Sequence, residues 1–186
     1  QKISYTSSYK KTFGAKAFKL NAKVTEGDGA LSYKSSDKKV ATVKDGKVTI
    51  KGTGVCTITI TAKETDAYKE KSVKVSVKVS PKKVTIKSIK SLSGKKMKVT
   101  WMRTAQASGY EVQYSLDKKF KSKVGKVSVA DPSSSSIKKI STKNTTIKKL
   151  KKGKKYYVRV RAYKTVDKKA KLNGAWSAVK TSKKIK

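Results

Sequence analysis

Apolar and polar residues alternate with a period of two along most of the chain. Val73, Val75, Val77 and Val79 alternate with lysine and serine, and Cys56, Ile58, Ile60 and Ala62 alternate with threonine. Val158, Val160 and Ala162 alternate with Tyr157, Arg159 and Arg161. Successive strand side chains point to opposite faces, so each run predicts a strand with one apolar face and one wet face. Asp45-Gly46 separates Val40–Val43 from Val48–Ile50 and predicts a tight hairpin. Glu26-Gly27-Asp28-Gly29 reads as another solvated hairpin turn, and Ser133–Ser136, after Asp131-Pro132, as an exposed loop. Alternation is weak near Tyr5–Tyr9 and from Lys121 to Lys143. No stretch keeps a helical period. Many short strands divided by turn residues predict an all-β fold of sandwich or barrel type.

Pro81 follows the Val73–Val79 run directly, and a new strand is expected at Val84–Ile89. Proline cannot donate to a strand ladder, so a domain boundary is expected at Ser80–Lys83, dividing the chain into residues 1–80 and 81–186. Each part has the size at which a β-sandwich buries a usable core.

Charge sharpens the division. The 186 residues carry 49 Lys+Arg against 11 Asp+Glu, a formal net charge of +38. Residues 1–80 carry +10 of it and residues 81–186 carry +28. So much like charge on so few apolar residues borders on a disordered composition, and the strand pattern is what argues for folding. The absence of histidine excludes a Ser-His-Asp or Cys-His site and any His-containing metal site. A single cysteine, Cys56, excludes an internal disulfide. No apolar run approaches the roughly 18 residues of a transmembrane helix. Gln1-Lys2-Ile3 does not read as a signal peptide and looks like the edge of a mature fragment.

Two resemblances appear. The first carrying residues are Ser32–Asp37, Val40-Ala41-Thr42-Val43, Gly46–Gly54 and Thr57-Ile58-Thr59-Ile60. Over about Lys2 to Val79 the chain resembles a bacterial immunoglobulin-like domain of group 2. Cys56 departs from that pattern, where a small residue is more usual; alternation points it inward as an inert buried thiol. The second set comprises Val99-Thr100-Trp101, Gly109–Tyr114, Leu150–Tyr156, Tyr157–Ala162 and Gly174-Ala175-Trp176-Ser177. From about Lys82 to Lys183 the chain resembles a fibronectin type III domain. That resemblance implies a core tryptophan at Trp101, a tyrosine corner at Leu150 and Tyr156, and a last strand opened by Trp176. Together they imply two immunoglobulin-like β-sandwiches in tandem, as in secreted or cell-surface proteins of Gram-positive bacteria.

Candidate chemistry is sparse. Glu26 and Asp28 share a Gly-rich turn, which makes a poor calcium site in a cationic chain, so neither a metal nor a cofactor is expected. No acid falls on an apolar face, and Asn21, Asn144 and Asn173 lie near strand ends, which argues against a self-made lysine crosslink. The richest surface lies on the second module. With Tyr156, Val158, Val160 and Ala162 inward, Tyr157, Arg159, Arg161 and Tyr163 share the outer face. In fibronectin order Glu111 and Gln113 join them from a neighbouring strand, with Trp176 on the next. This face reads either as a cation–π ladder or as a platform for sugars or anionic polymers.

Basic clusters stand at Lys118-Lys119, Lys148-Lys149, Lys151-Lys152, Lys154-Lys155 and Lys168-Lys169. Such a field attracts polyanions. Dedicated nucleic-acid readers use arginine and stacking aromatics, whereas these cations are dispersed lysines. The expected partners are therefore anionic cell-wall polymers or polysaccharide, host or bacterial surface glycans, and neighbouring domains of a larger protein. No specific nucleic acid and no membrane span are expected, and a monomer is. The expected role is a non-catalytic spacer or accessory pair retained on the wall. The alternative is an adhesin or carbohydrate-binding module using the Trp176 face.

Overall fold

The computed structural model describes residues 1–132, 141–167 and 170–186. Ser133–Ser136 and the Lys168-Lys169 cluster lie outside the described residues. The fold is all-β, with 17 strands and no α-helix among the described residues. The chain divides into two compact units, one built on Gln1–Ser80, the other on Pro81–Thr165 with the C-terminal stretch.

The first unit places β2 (Ser8–Thr12), β9 (Lys71–Ser80), β8 (Gly54–Ala62) and β5 (Leu31–Ser35) in one sheet, in that order. β3 (Phe18–Lys19), β7 (Lys47–Ile50) and β6 (Ala41–Lys44) form a second. Cys56, Ile58 and Ile60 of β8 and Val75, Val77 and Val79 of β9 are all buried, forming one core cluster with Leu20, Val40, Ala41 and Val48. Asp45 and Gly46 both take positive φ, 47° and 72°, as a two-residue hairpin loop between β6 and β7 demands. Burial raises the pKa of the Cys56 thiol; a bond with Ser35 opposes the shift and the Asp37 charge adds to it.

Two features of this unit differ from the sequence expectation. The weakly patterned N-terminal stretch is two strands: β1 (Lys2–Tyr5) pairs antiparallel with β4 (Ala22–Glu26), and β2 pairs parallel with β9. A segment feeding two sheets changes its inner face partway, which erases simple alternation. The Glu26–Gly29 turn is not a hairpin. β4 bonds to β1 while β5 bonds to β8, so the turn carries the chain between sheets. The Gln1 side chain fills it: Gly29 N–H donates to Gln1 Oε1 at 2.9 Å, and Gln1 Nε2 donates to the Lys63 carbonyl. A Cβ on Gly29 would collide with that carbonyl and with Gln1, so glycine is what admits the plug.

The second unit pairs β10 (Ile86–Leu92), β11 (Lys96–Met102) and β14 (Thr142–Ile147) in one sheet. Its other sheet runs β13 (Gly125–Ala130), β12 (Gly109–Ser115), β15 (Tyr157–Val166) and β16 (Ala170–Asn173), with β17 (Lys180–Thr181) also on β15. Met97, Val99 and Trp101 alternate inward on β11, and the Trp101 ring meets Tyr110 with centroids 5.3 Å apart. Large rings suit this position because stacked sheets lie about 10 Å apart. Leu150 is buried, and the Tyr156 hydroxyl accepts from Lys151 N–H at 3.1 Å.

Two strand ends here also differ. β10 opens at Ile86 rather than Val84, and its pairing with β11 slips register between Ile86 and Ser88; Val84 is buried all the same. Trp176 precedes the last strand rather than opening it. Gly174 N–H donates to the Ala162 carbonyl and Ser177 N–H to the Val160 carbonyl, so three residues span two of β15. That extra residue breaks the ladder as a bulge does. Serine hydroxyls repair it: Val160 N–H donates to Ser177 Oγ at 3.0 Å and Tyr156 N–H to Ser182 Oγ at 2.9 Å.

Candidate functional site

β12 and β15 pair antiparallel, with Glu111 opposite Arg161 and Gln113 opposite Arg159. Opposed residues share a face, so the register itself assembles the outer surface of this sheet. Arg159 donates from Nε and Nη2 to Gln113 Oε1 at 2.9 and 2.6 Å. Gln113 Nε2 donates to Glu111 Oε1 at 3.0 Å, and Arg161 Nη2 donates to both Glu111 oxygens at 3.3 and 3.2 Å. Lys126, on β13, adds its ammonium 3.7 Å from Glu111 Oε2.

Aromatic rings close over this chain of bonds. The Arg159 guanidinium lies 4.4 Å from the Trp176 ring centre and 4.3 Å from that of Phe120. Arg161 lies 4.4 Å from the Trp176 ring centre. Burial lowers the pKa of Arg159, the Arg161 charge lowers it further, and Glu111 opposes both. Phe120 is the member that sequence reasoning missed. It follows Asp117-Lys118-Lys119 in a loop and takes φ 55°, so no strand period marks it.

Tyr157 is half-buried on the same face. Tyr163 is not part of an exposed surface, being 6% exposed beneath Lys171, whose ammonium is 4.1 Å from the ring centre. Glu111 is also removed from solvent, at 3% exposure. The expectation that no acid falls on an apolar face is corrected by Asp131, which continues the inward series of Val127 and Val129 and is fully buried. Asp131 sits at the end of β13 and takes a bidentate pair from Arg103, with Nε and Nη2 each 2.7 Å from a carboxylate oxygen. The pairing explains the burial: a lone buried carboxylate is costly, whereas a forked guanidinium satisfies both oxygens. Asn21, Asn144 and Asn173 are all exposed.

Lys148, Lys149, Lys151, Lys152, Lys154 and Lys155 are all exposed around the tyrosine corner. No group of three or more Cys, Asp or Glu side chains capable of holding a metal occurs among the described residues. No helix of the described residues is long and apolar enough to cross a membrane.

Family models match two separate stretches of the chain. The family model of the purple acid phosphatase N-terminal domain matches residues 81–183, more than half of the chain. The model of the intimin immunoglobulin-like domain matches residues 16–64. No curated protein matches. Among solved structures, the FN1–FN3 domains of chicken CNTN1 share 13% identity over 96% of this chain and 63% of that one, with TM-score 0.45. A cytokine receptor complex shares 12% identity over 97% of this chain and 94% of that one, with TM-score 0.48.

Proposed function

The chain belongs, through residues 81–183, to the family of the purple acid phosphatase N-terminal domain, and from that premise we propose a non-catalytic accessory role. In this reading the two modules are spacers within a secreted or surface protein of Gram-positive type. Their lysine surface keeps them on anionic wall polymers such as teichoic acids. Immunoglobulin-like and fibronectin-type domains are typical of accessory or extracellular modules, and the matching phosphatase domain is itself the non-catalytic one.

One observation carries the reading: the charge of the second unit is not neutralised locally. Its 32 Lys+Arg stand against four acids, of which Glu111 and Asp131 are buried in pairs with arginine, while the lysines around the tyrosine corner face solvent. A surface field of one sign steers polyanions and holds them without a specific contact.

The alternative, an adhesin or carbohydrate-binding face at Trp176, draws less support. Arg159 and Arg161 bond within the sheet and stack on Trp176, an arrangement that stabilises the face without any ligand.

Sedimentation with purified Gram-positive walls, with and without teichoic acid, tests the proposal across a salt series. Retention is expected to require teichoic acid and to vanish toward about 1 M salt, where the screening length shrinks to roughly 3 Å. Retention that ignores salt and teichoic acid sinks the proposal. Loss of retention on Trp176→Ala, in a variant that still folds, favours the alternative.

A further inference from the structure

A cavity of about 320 Å³ lies between the β12–β13 connection and the tyrosine corner of the second unit. Tyr114, Leu116 and Tyr156 supply its apolar lining, and Lys123, Lys149 and Lys151 its charge; no carboxylate lines it. The volume falls within the range that holds a small ligand, about 300–1,000 Å³. Leu116 is 38% exposed, an apolar side chain left open beside three cations.

The backbone marks the same place. Lys123 and Lys149 both adopt left-handed φ, 47° and 59°, a conformation long side chains avoid. They come from different loops and meet in one cavity. Such positions recur at ligand sites, although five other non-glycine residues of the described chain also take positive φ.

The walls are preformed. Ser115 Oγ donates to the Ser122 carbonyl at 2.9 Å, and Asp117 accepts from Lys119 N–H and Lys121 N–H, both at 2.8 Å. On the other side Leu150 N–H donates to the Lys95 carbonyl at 3.0 Å, and Lys151 N–H to Tyr156 at 3.1 Å. The Tyr114 and Tyr156 rings lie 6.0 Å apart at 57°. Little ordering remains for a ligand to impose, which favours binding of something small.

We propose that this cavity binds a phosphorylated sugar unit, the sugar against Leu116 and the partly exposed Tyr114, the phosphate between the three ammonium groups. The chemistry of the lining selects both parts. The apolar surface of Leu116 and the uncovered part of Tyr114 receive sugar C–H groups. Lysine binds phosphate as a point charge without demanding one geometry. The inference rests on the wall-retention reading only for the source of the ligand. It adds a discrete subsite to a diffuse field.

Glucose 6-phosphate is the probe, titrated into the ¹⁵N-labelled full chain at near-physiological salt. Inorganic phosphate and glucose are titrated in parallel. Shifts are expected to concentrate at Leu116, Lys123–Gly125 and Lys149–Lys151, with each half-ligand at least tenfold weaker. The double variant Lys123→Gly/Lys149→Gly is expected to weaken binding at least tenfold while keeping or raising thermal stability, since glycine relieves both left-handed positions. Lys87→Gln/Lys90→Gln removes the same charge from exposed positions on the opposite sheet and is expected to change affinity less than twofold. Equal losses in the two double variants, or phosphate alone binding as tightly as the sugar phosphate, overturn the subsite. Shifts absent here alongside intact wall sedimentation refute the subsite and leave retention standing. Shifts present without wall sedimentation do the reverse.

Discussion

A bidentate contact inside the second unit governs how single substitutions behave there. Asp131 is fully buried against Arg103, with the Lys143 ammonium 3.7 Å away, so Asp131→Asn leaves two cations without their carboxylate. We expect a loss of about 3–5 kcal/mol, the range for breaking one side of a buried ion pair. Both tryptophans, Trp101 and Trp176, lie in the second unit, so urea denaturation followed by tryptophan fluorescence reads this unit alone. Tyr156→Phe is smaller in scale. It strands the Lys151 N–H and is expected to cost about 1–3 kcal/mol in the same measurement. Asp117 supplies the pH dependence. The Lys119 and Lys121 amides hold its pKa below the usual aspartate value, so the folded carboxylate is the favoured form. Its contribution is fully present above the unfolded value of about 4 and is lost as pH falls through the lower folded value. The urea midpoint should therefore drop below about pH 4 more steeply in wild type than in Asp117→Asn. Equal slopes would remove Asp117 from the account.

At the scale of elements, the C-terminal edge of the second unit is held by side chains where the ladder is interrupted. Ser177 and Ser182 are buried, and their hydroxyls take the amides of Val160 and Tyr156. Ser177→Ala and Ser182→Ala each leave a buried N–H unpaired and are expected to cost about 1–3 kcal/mol. Native-state hydrogen exchange makes the assignment specific: the Val160 amide should lose protection in the first variant and the Tyr156 amide in the second. Loss at both amides in either variant would mean the edge melts as a unit. The neighbouring ladder of Phe120, Arg159, Trp176 and Arg161 is likewise an element-scale feature. Trp176→Ala is expected to cost about 2–3 kcal/mol, from two cation–π contacts and the lost ring area.

Across the whole molecule the field of +38 acts on folding as well as on partners. Like charges packed into compact units repel, and salt screens them over about 10 Å at 0.1 M. Raising NaCl from about 0.02 to 0.3 M should therefore raise the urea midpoint of the second unit. The buried Arg103–Asp131 pair, shielded from the ions, should contribute equally at both concentrations. A midpoint that falls with salt would mean surface pairs outweigh the repulsion.

Legibility followed the geometry of the strands. Where one face is buried along a whole element, as in β8, β9 and β15, the inward set can be read directly from Cys56–Ala62, Val73–Val79 and Val158–Ala162. The hairpin at Asp45-Gly46 was equally open, because a two-residue turn demands positive φ and these residues tolerate it. The outer-face neighbours Glu111, Gln113, Arg159 and Arg161 were legible only through the fibronectin resemblance, which supplies strand order. Other features depend on which strands meet in space. Period-two patterning says which side of a strand is wet, but not which sheet it joins, so β1 and β4 pairing apart from β2 and β5 stayed hidden. Phe120, Asp131, Ser177 and Ser182 lie in loops, at a strand end or beside a bulge, where no period operates. Their roles arise from partners distant along the chain. Chain composition determined the sign and size of the field, and period-two patterning determined the all-β class. Tertiary structure alone decided that two strained lysines from separate loops share one cavity, because φ and proximity are properties of the folded backbone.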